Sequence, residues 1–273
     1  MILVRLPVMT GLIRRRLLIN FRVDPEVIQR LLPAGMSPKL HGGHAIAGIC
    51  LIRLEQIRPK GMPAFVGAAS ENAAHRIAVE WAENGGERRE GVFIPRRDTN
   101  SALAVLAGGR IFPGVHHYAR FTVKDDGTNI EFEMASREAS AQIRVRAREA
   151  ALFPGGSCFA SLADASAFFE RGCVGFSVTP DADRLDGLQL CTVDWQVRPL
   201  DVLEFHSGFF ADETKFPKGS VEFDHGLIMR DISHEWISQP DYRIPGRQPQ
   251  DHPAASGSGS GVPAGLRETR ATR

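Results

Sequence analysis

Strict alternation of apolar and polar residues is the feature that most limits how this chain can fold. In AQIRVRARE (141–149) the apolar residues share one phase and three arginines share the other, and NIEFEM (129–134) alternates in the same way. A period of two residues is typical of a strand with one buried face. The turn-like KDDGT segment (124–128) joins HYARFTV to NIEFEM and predicts a β-hairpin.

Three short segments carry helix signals instead. They are DPEVIQRLLP (24–33), TNSALAVLAGG (99–109) and SLADASAFFERG (161–172), each with a polar capping candidate at its start and a proline or glycine at its end. Three short helices among about ten strands predict a β-dominated α+β fold with an antiparallel sheet that is curved or closed into a barrel. Such a barrel offers an internal cavity for a small ligand.

The bulk properties exclude several classes of function. The formal net charge is +1, which gives no reason to expect binding to nucleic acid or to an anionic membrane. No apolar run approaches the roughly 20 residues of a membrane span. The N-terminal stretch is interrupted by arginines and lacks a cleavage site of small residues, and the four cysteines form no CxxC pair. We therefore expect a cytoplasmic protein with free thiols.

The domain organisation follows from a change in composition near residue 245. Residues 1–244 carry the strand and helix patterns and are predicted to form a single domain. Residues 245–273 are rich in glycine, serine, proline and alanine without apolar periodicity, and are predicted to form a disordered tail.

One segment combines ionisable and apolar residues on a single predicted face. If SENAAHRIAVEWAE (70–83) is a strand, Glu71 and His75 share a face with Ala73, Ile77, Val79 and Trp81. Burial of a carboxyl group and an imidazole shifts their pKa values and favours general acid–base catalysis. If the segment is a helix, Glu71 and His75 form an exposed i, i+4 pair instead. Both interpretations stay open at this point.

Arginines supply candidate groups for binding an anion. Arg97 and Arg110 flank the short helix near residue 102, and Arg14 lies near the start of the chain. A guanidinium group in a cavity would bind a carboxylate through its planar fork. The alternative for each of them is a solvated strand face, as for the arginines of 144–148.

The common cofactor and metal motifs do not occur. There is no P-loop, GxGxxG, GxSxG or HExxH sequence, so we expect neither a cofactor nor a metal ion. A less favoured alternative is a metal-dependent enzyme that uses His41, His44 and His117.

Two segments resemble a known family. LLINFRVDPEVIQRLLPAGM (17–36) and GVFIPRRDTNSALAVLAGGRIFPGVHHYARF (91–121) are similar to segments of acetoacetate decarboxylase and its relatives. CFASLADASAFFERGCVGFS and FDHGLIMRDISHEW resemble the uncharacterised YqjF-like branch of that superfamily. The resemblance covers about residues 10 to 240 and implies an acetoacetate decarboxylase-like, cone-shaped or closed barrel with a buried pocket. It also makes a homo-oligomer a candidate state, because relatives form multimers.

The resemblance implies a site without its Schiff-base amine. In the family, two lysines directly follow a proline, and one forms an imine with the substrate ketone. Counted from Asp98, that proline corresponds to Pro113, and the lysines correspond to Gly114 and Val115. Schiff-base decarboxylation is therefore not expected. Arg14 falls at the position of a pocket arginine, and Glu71 corresponds to a pocket glutamate.

Strand parity divides the two histidines of FPGVHHYARF (112–121). His117 shares a phase with Ala119 and Phe121, so we predict that His117, rather than His116, faces the pocket. The predicted catalytic residues are Glu71, His75 and His117.

The leading hypothesis is a small-molecule-binding protein that takes an anionic carbonyl or carboxylate metabolite through Arg14, Arg97 or Arg110. It would act, if it is an enzyme, as a lyase or hydrolase without a Schiff base. The alternative is a non-catalytic ligand-binding or sensor module.

Overall fold

The alternating segments form one continuous sheet. The computed structural model describes residues 7–83, 85–106, 113–138 and 141–247. The strands in these residues are β1 Met9–Val23, β2 Met36–Pro38, β3 Leu40–His41, β4 His44–Pro59, β5 Ala68–Ala82, β6 Arg88–Thr99, β7 His116–Asp125, β8 Asn129–Ser136, β9 Gln142–Glu149, β10 Val174–Val178, β11 Arg184–Thr192, β12 Arg198–Ser207 and β13 Val221–Arg243.

The three predicted helices are confirmed: α1 Pro25–Leu31, α2 Ala102–Leu106 and α3 Leu162–Arg171. Asp24 caps α1, with its side chain accepting from the N–H of Glu26, and Pro25 occupies the first turn. Ser161 caps α3 by accepting from the N–H of Asp164.

The strands pair in the order β11-β10-β6-β7-β8-β9-β12-β13-β1-β4-β5-β2, and two further pairings, β11 with β13 and β6 with β5, close the sheet on itself. One edge of β6 is shared between β10 and β7, and one edge of β13 is shared between β11 and β12. Two closed rings result. A seven-strand ring contains β10 and β11, a nine-strand ring contains β7, β8, β9 and β12, and both include β13, β1, β4, β5 and β6.

The two faces of the shared strands serve different rings. Odd-numbered residues such as Leu17, Ile49 and Ile77 join a core with Phe132 and Val145, on β8 and β9 of the nine-strand ring. The opposite face packs against α3 through a second cluster, which includes Leu18, Cys50, Phe168 and Phe169. Because both faces are covered, the central part of these strands is buried on both sides.

The predicted β-dominated α+β barrel is confirmed. In β8 and β9 the apolar phase is buried and the arginine and glutamate phase is exposed, as the alternation predicts. Two pairings differ from the antiparallel prediction: β6 pairs in parallel with β7 and with β10. The connection from β6 to β7 passes through α2, and a crossover of this kind returns the chain in the same direction.

None of the helices in the described part of the chain has the length and apolar character needed to cross a bilayer. The predicted tail lies outside the described residues from 248 onward, and its disorder stays a prediction.

Candidate functional site

A cavity of about 170 Å³ lies on the α3-facing side of the shared strands. Each strand of the seven-strand ring contributes to its lining, and α2, Phe169, Trp195 and His116 complete it. The wall is mainly apolar, with Ile52, Leu54, Val92, Ile94, Leu188 and Leu190 among its residues. A concave, mainly apolar cavity with a few polar groups is the usual form of a small-molecule site.

Three arginines lie in this wall, and their positions follow from the strand register. Arg16 on β1 is opposite Ile52 of β4, Arg97 on β6 is opposite Ala74 of β5, and Arg76 lies two residues further along β5. Their side chains therefore share one face of the sheet, although they come from three strands.

Neutral groups, rather than carboxylates, contact these three arginines. Arg16 donates through Nε to the Cys50 thiol at 3.3 Å, and its guanidinium lies 5.6 Å from the centre of the Trp195 ring. Arg97 donates through Nε to Ser177 Oγ at 2.8 Å.

Arg76 is the most buried of the three. It donates to Asn20 Oδ1 and lies 4.7 Å above the Phe169 ring, and its Nε has no hydrogen-bond partner among the described residues. Burial lowers the pKa values of Arg76 and Arg97 to about 10, which still leaves both groups charged at neutral pH.

The three cavity arginines therefore have no direct carboxylate partner among the described residues, although Asp186 acts on Arg97 electrostatically. Within those residues, no carboxylate oxygen lies within ion-pair distance of Arg16, Arg76 or Arg97. The side chain of Asp98 lies with Arg96 on the face of β6 opposite Arg97, and it accepts two hydrogen bonds from Arg96, both at 2.8 Å. Buried charges are normally paired, whereas neutral groups hold these three arginines.

His116 completes the polar part of the lining. It pairs with Arg97 across the parallel β6–β7 ladder, and its Nδ1 lies 3.1 Å from the carbonyl oxygen of Gly114. Burial, together with the positive charge of Arg97, lowers the pKa of His116 to about 4. The imidazole is therefore neutral at pH 7.

The cavity lining contains no lysine. All five lysines of the chain are described, and Lys60, Lys124 and Lys215 form exposed ion pairs with Glu235, Glu131 and Asp212. Lys218 is exposed. Lys39 lines a smaller adjoining cavity and is held by Glu90 at 2.7 Å and by the face of the Phe168 ring.

Gly114, the first of the two positions that correspond to the family lysines, has no room for a side chain. Gly114 has a positive φ of 88°, and a Cβ atom built on it would collide with the side chain of Ser177. Its N–H donates to Asp186 at 2.8 Å. The backbone at Gly114 therefore lies so close to β10 that a residue with a Cβ atom would not fit without a shift.

Arg97 is the one predicted binding residue that the structure places in the cavity lining, and Arg14 lies elsewhere. β1 contains a bulge at Arg14, because Ile13 faces Leu54 and Arg15 faces Arg53. The extra residue turns outward, and Arg14 forms exposed ion pairs with Glu55 and Asp231. Arg110 lies outside the described residues.

Glu71 and His75 lie on β5, as the strand interpretation predicts, and both are buried. They face the nine-strand ring and not the cavity. Glu71 accepts a hydrogen bond from Arg15 at 2.8 Å, and burial raises the pKa of its carboxyl group. His75 lies 3.4 Å from Ser207 Oγ and packs on Phe209, and burial lowers its pKa to about 3.

His117 also lies away from the cavity lining. Its Nδ1 is 3.3 Å from Glu138 on the side of β7 opposite His116. None of Glu71, His75 and His117 lines this cavity, and their catalytic roles stay predictions.

The histidines of the metal alternative are also dispersed. His41 and His44 pair across the β3–β4 hairpin, and His41 stacks on Phe159 and contacts Asp164. His117 lies on β7, beside Glu138. In the described ranges, no three His, Cys, Asp or Glu side chains are arranged to hold a metal ion.

Four residues of the cavity lining were not predicted as site residues from the sequence: Arg16, Cys50, Arg76 and His116. The available signal was that 75–79 reads HRIAV, a run without clear alternation, which indicates a strand buried on both faces. The phase of Asn72 and Arg76 therefore also faces an interior, and that interior contains the cavity.

The fold defines the class of protein. The structure is similar to acetoacetate decarboxylase from Legionella pneumophila subsp. pneumophila strain Philadelphia 1, at 14% identity and a TM-score of 0.54 over 87% of this chain and 89% of that one. It is also similar to an acetoacetate decarboxylase-like enzyme from Sphingomonas wittichii RW1 (16%, 0.53, 89% and 94%). A third similar structure is the enduracididine biosynthesis enzyme MppR complexed with pyruvate (14%, 0.53, 89% and 92%). The chain therefore has the acetoacetate decarboxylase-like fold.

The sequence identifies the family within this class. Residues 12–215 match the model of DUF2071, described as an uncharacterised conserved protein (COG2071). The chain belongs to this family, which confirms the predicted relationship. A search of curated proteins found no significant match.

Proposed function

We propose that this protein binds a small carboxylate, of the keto-acid type, in the cavity of the seven-strand ring. The observation that carries the proposal is the set of three cationic arginines, Arg16, Arg76 and Arg97, in an otherwise apolar wall without a carboxylate partner in the described structure. A guanidinium group binds a carboxylate through two parallel hydrogen bonds, and the low dielectric of the cavity strengthens them.

The size of the cavity favours a small ligand. An apolar protein cavity of about 150 Å³ holds a molecule the size of benzene. The cavity here is of similar volume, about 170 Å³, so an acid of a few carbon atoms fits. MppR, which has the same fold, was solved with pyruvate. That observation supports the keto-acid class without assigning the ligand.

Any chemical conversion at this site would proceed without an imine, because no lysine of the chain lines the cavity. The second candidate is a non-catalytic module that binds an apolar ligand, and the apolar wall with Trp195 and Trp236 favours it. The two candidates differ in whether the ligand must carry a negative charge.

A cytoplasmic location remains part of the proposal, and the four free cysteines support it.

Calorimetric titration with pyruvate, acetoacetate and the uncharged pyruvamide tests the proposal. We expect both acids to bind and the amide to bind at least about tenfold more weakly, because it cannot neutralise the guanidinium charge. Incubation of each bound acid, followed by NMR, shows whether it is converted.

The matched pair Arg97→Gln and Arg14→Gln separates the cavity from the surface. Arg97→Gln is expected to weaken acid binding by about tenfold or more, because a charge-assisted hydrogen bond contributes about 1.5–3 kcal/mol. Arg14→Gln removes an exposed arginine outside the cavity and should leave the affinity unchanged. Equal binding of acid and amide would refute the anion site and favour the apolar-ligand module.

A further inference from the structure

A buried series of hydrogen bonds runs from the cavity along the same, α3-facing side of the sheet. Arg76 donates to Asn20 Oδ1, Asn20 Nδ2 lies 2.9 Å from His225 Nε2, and His225 Nδ1 lies 2.5 Å from Asp224 Oδ2. All four residues are at most 5% exposed. Its outer end is held by Ser157 Oγ, which donates to Asp224 Oδ2 at 2.6 Å.

The strand register explains how such a chain can form. His225 of β13, Asn20 of β1, Gly48 of β4 and Arg76 of β5 lie in one row across four neighbouring strands. Gly48 has no side chain, so Asn20 can reach past β4 to Arg76. A Cβ atom on Gly48 would collide with the Ile19 carbonyl oxygen and lie 3.2 Å from Asn20 Oδ1.

A bulge in β13 brings the side chains of Asp224 and His225 together. The β1–β13 register shifts between Asn20, which faces His225, and Phe21, which faces Phe223. Asp224 is the extra residue of β13, and a bulge brings neighbouring side chains toward the same side of a strand. This explains how adjacent residues of one strand can be hydrogen-bonded to each other.

The groups at the two ends of this series, Arg76 and Asp224, determine the direction of every hydrogen bond in it. The guanidinium of Arg76 can only donate, so Asn20 presents its oxygen to Arg76 and its amide nitrogen to His225. His225 Nε2 must then accept, which leaves its proton on Nδ1, where it is donated to Asp224. The negative charge of Asp224 is therefore linked to Arg76 through two neutral groups and does not enter the cavity.

From this geometry we infer that Asp224, His225 and Asn20 are positioning residues that orient Arg76 for the ligand carboxylate while leaving its charge available. The inference rests on the proposed carboxylate site. A carboxylate in direct contact with Arg76 would neutralise it and compete with the ligand, whereas the amide of Asn20 fixes the guanidinium without doing so. The Nε of Arg76 has no hydrogen-bond partner among the described residues, so the bond to Asn20 does not use all the donors of this guanidinium group.

The surroundings of His225 support a neutral imidazole. The rings of Phe153, Phe159 and Phe169 pack around it. Asp224 is the acidic group that faces it, and Arg76 and His41 act on it electrostatically. Burial, opposed by Asp224, lowers the pKa of His225.

The first test needs no ligand. In ¹⁵N-labelled full-length protein, NMR of the imidazole nitrogens should show His225 as the neutral tautomer with its proton on Nδ1 at pH 7. The Arg76 Nε–H signal should shift in Asn20→Asp. A His225 proton on Nε2, or an Arg76 signal unaffected by Asn20→Asp, would overturn the relay whatever the protein binds.

The second test measures pyruvate affinity. Asn20→Asp places a carboxylate against Arg76, so we expect about tenfold weaker binding, since a hydrogen bond to a charged group contributes on that scale. It also gives His225 a second acidic neighbour, so the affinity should depend on pH between about 6 and 8, where a histidine flanked by carboxylates titrates. The same substitution at exposed Asn129 on β8, remote from the cavity, is the matched control and should change neither property.

The outcomes separate the two proposals. Tight pyruvate binding that is the same in wild type and Asn20→Asp would overturn the relay and leave the carboxylate site intact. If wild type does not bind pyruvate, the keto-acid proposal fails, and the His225 tautomer alone decides the relay. Should Asn20→Asp fail to fold, the wild-type tautomer decides the relay: a His225 proton on Nδ1 supports it, and a proton on Nε2 overturns it.

Discussion

His116 and Arg97 lie side by side in the cavity wall, so the protonation of one depends on the charge of the other. Burial is the main cause of the lowered pKa of His116, and the charge of Arg97 is the second. Removal of that charge makes protonation of the imidazole more favourable. We therefore expect Arg97→Gln to raise the pKa of His116 above its value of about 4. An NMR titration of the His116 Cε1 signal measures the change.

A bound carboxylate should act on His116 in the same direction as that substitution, because it neutralises Arg97. The titration repeated with saturating pyruvate is expected to give a higher pKa in wild type and little further change in Arg97→Gln. Arg14→Gln serves as the control with an unaltered titration. If neither pyruvate nor Arg97→Gln changes the pKa of His116, the anion does not bind beside Arg97 and His116.

The lysines permit a second prediction about individual residues. Borohydride reduction in the presence of acetoacetate should leave the mass of the protein unchanged, because none of the five lysines lines the cavity proposed to bind the acid. Lys39 is the buried one, and burial lowers its pKa, although Glu90 holds it as an ion pair. The variant Lys39→Arg is the check: an adduct that disappears in it would show that Lys39 reaches the ligand, against our assignment.

Two irregular strands explain why the residues of the cavity were only partly predictable. Alternation identified β7, β8 and β9 and gave β5 as one of two interpretations, and the family resemblance selected Arg14. The bulge at Arg14 breaks the alternation, so Arg16 occupies the cavity wall instead. In β6, the register shifts around Pro95, which lacks an N–H for the ladder. Such irregularities depend on pairing partners and are not visible in one strand alone.

The short helix α3 gives a prediction at the level of a single element. It covers one end of the seven-strand ring, and its Phe169 packs on Arg76. Ser161 accepts from the N–H of Asp164 at its start, so Ser161→Ala should lower the free energy of unfolding by about 1 kcal/mol, while Ser161→Asp, another good cap, should retain it. Urea denaturation measures both. Equal losses in the two variants would show that side-chain packing, and not the cap, is responsible.

In the molecule as a whole, the apolar and polar phases of the shared strands face two different interiors. The apolar phases of β5 and β7 carry Glu71, His75 and His117, and they face the packed core of the nine-strand ring. The alternate residues of β5 and β7 that include Arg76 and His116 look polar in the sequence, yet these two side chains face the cavity. A site for an anion needs polar groups, so its strand faces resemble solvent-exposed ones. The fold was therefore predictable from alternation, but the choice of face required the closure of both rings.

The buried histidines of these interiors make stability depend on pH. His75 has a pKa of about 3 in the folded protein and 6.5 when unfolded, so between these values the unfolded chain binds a proton that the folded chain does not. The contribution of His75 to stability therefore decreases as the pH drops below about 6.5, by about 1.4 kcal/mol per pH unit. Glu71 acts in the opposite direction, because burial raises its pKa and protonation favours its folded form. The contribution of His75 is isolated by comparing variants.

Urea denaturation of wild type and His75→Gln at pH values from 7 to 4 measures that contribution. His75→Gln should lower stability at pH 7, because Ser207 and Phe209 lose a partner, yet its stability should decline less steeply with acid, by about 1.4 kcal/mol per pH unit. The free energies of the two proteins are expected to converge as the pH falls. His206→Gln, at an exposed position of β12, should parallel wild type throughout. Parallel curves for wild type and His75→Gln would show that His75 is not held neutral in the folded protein.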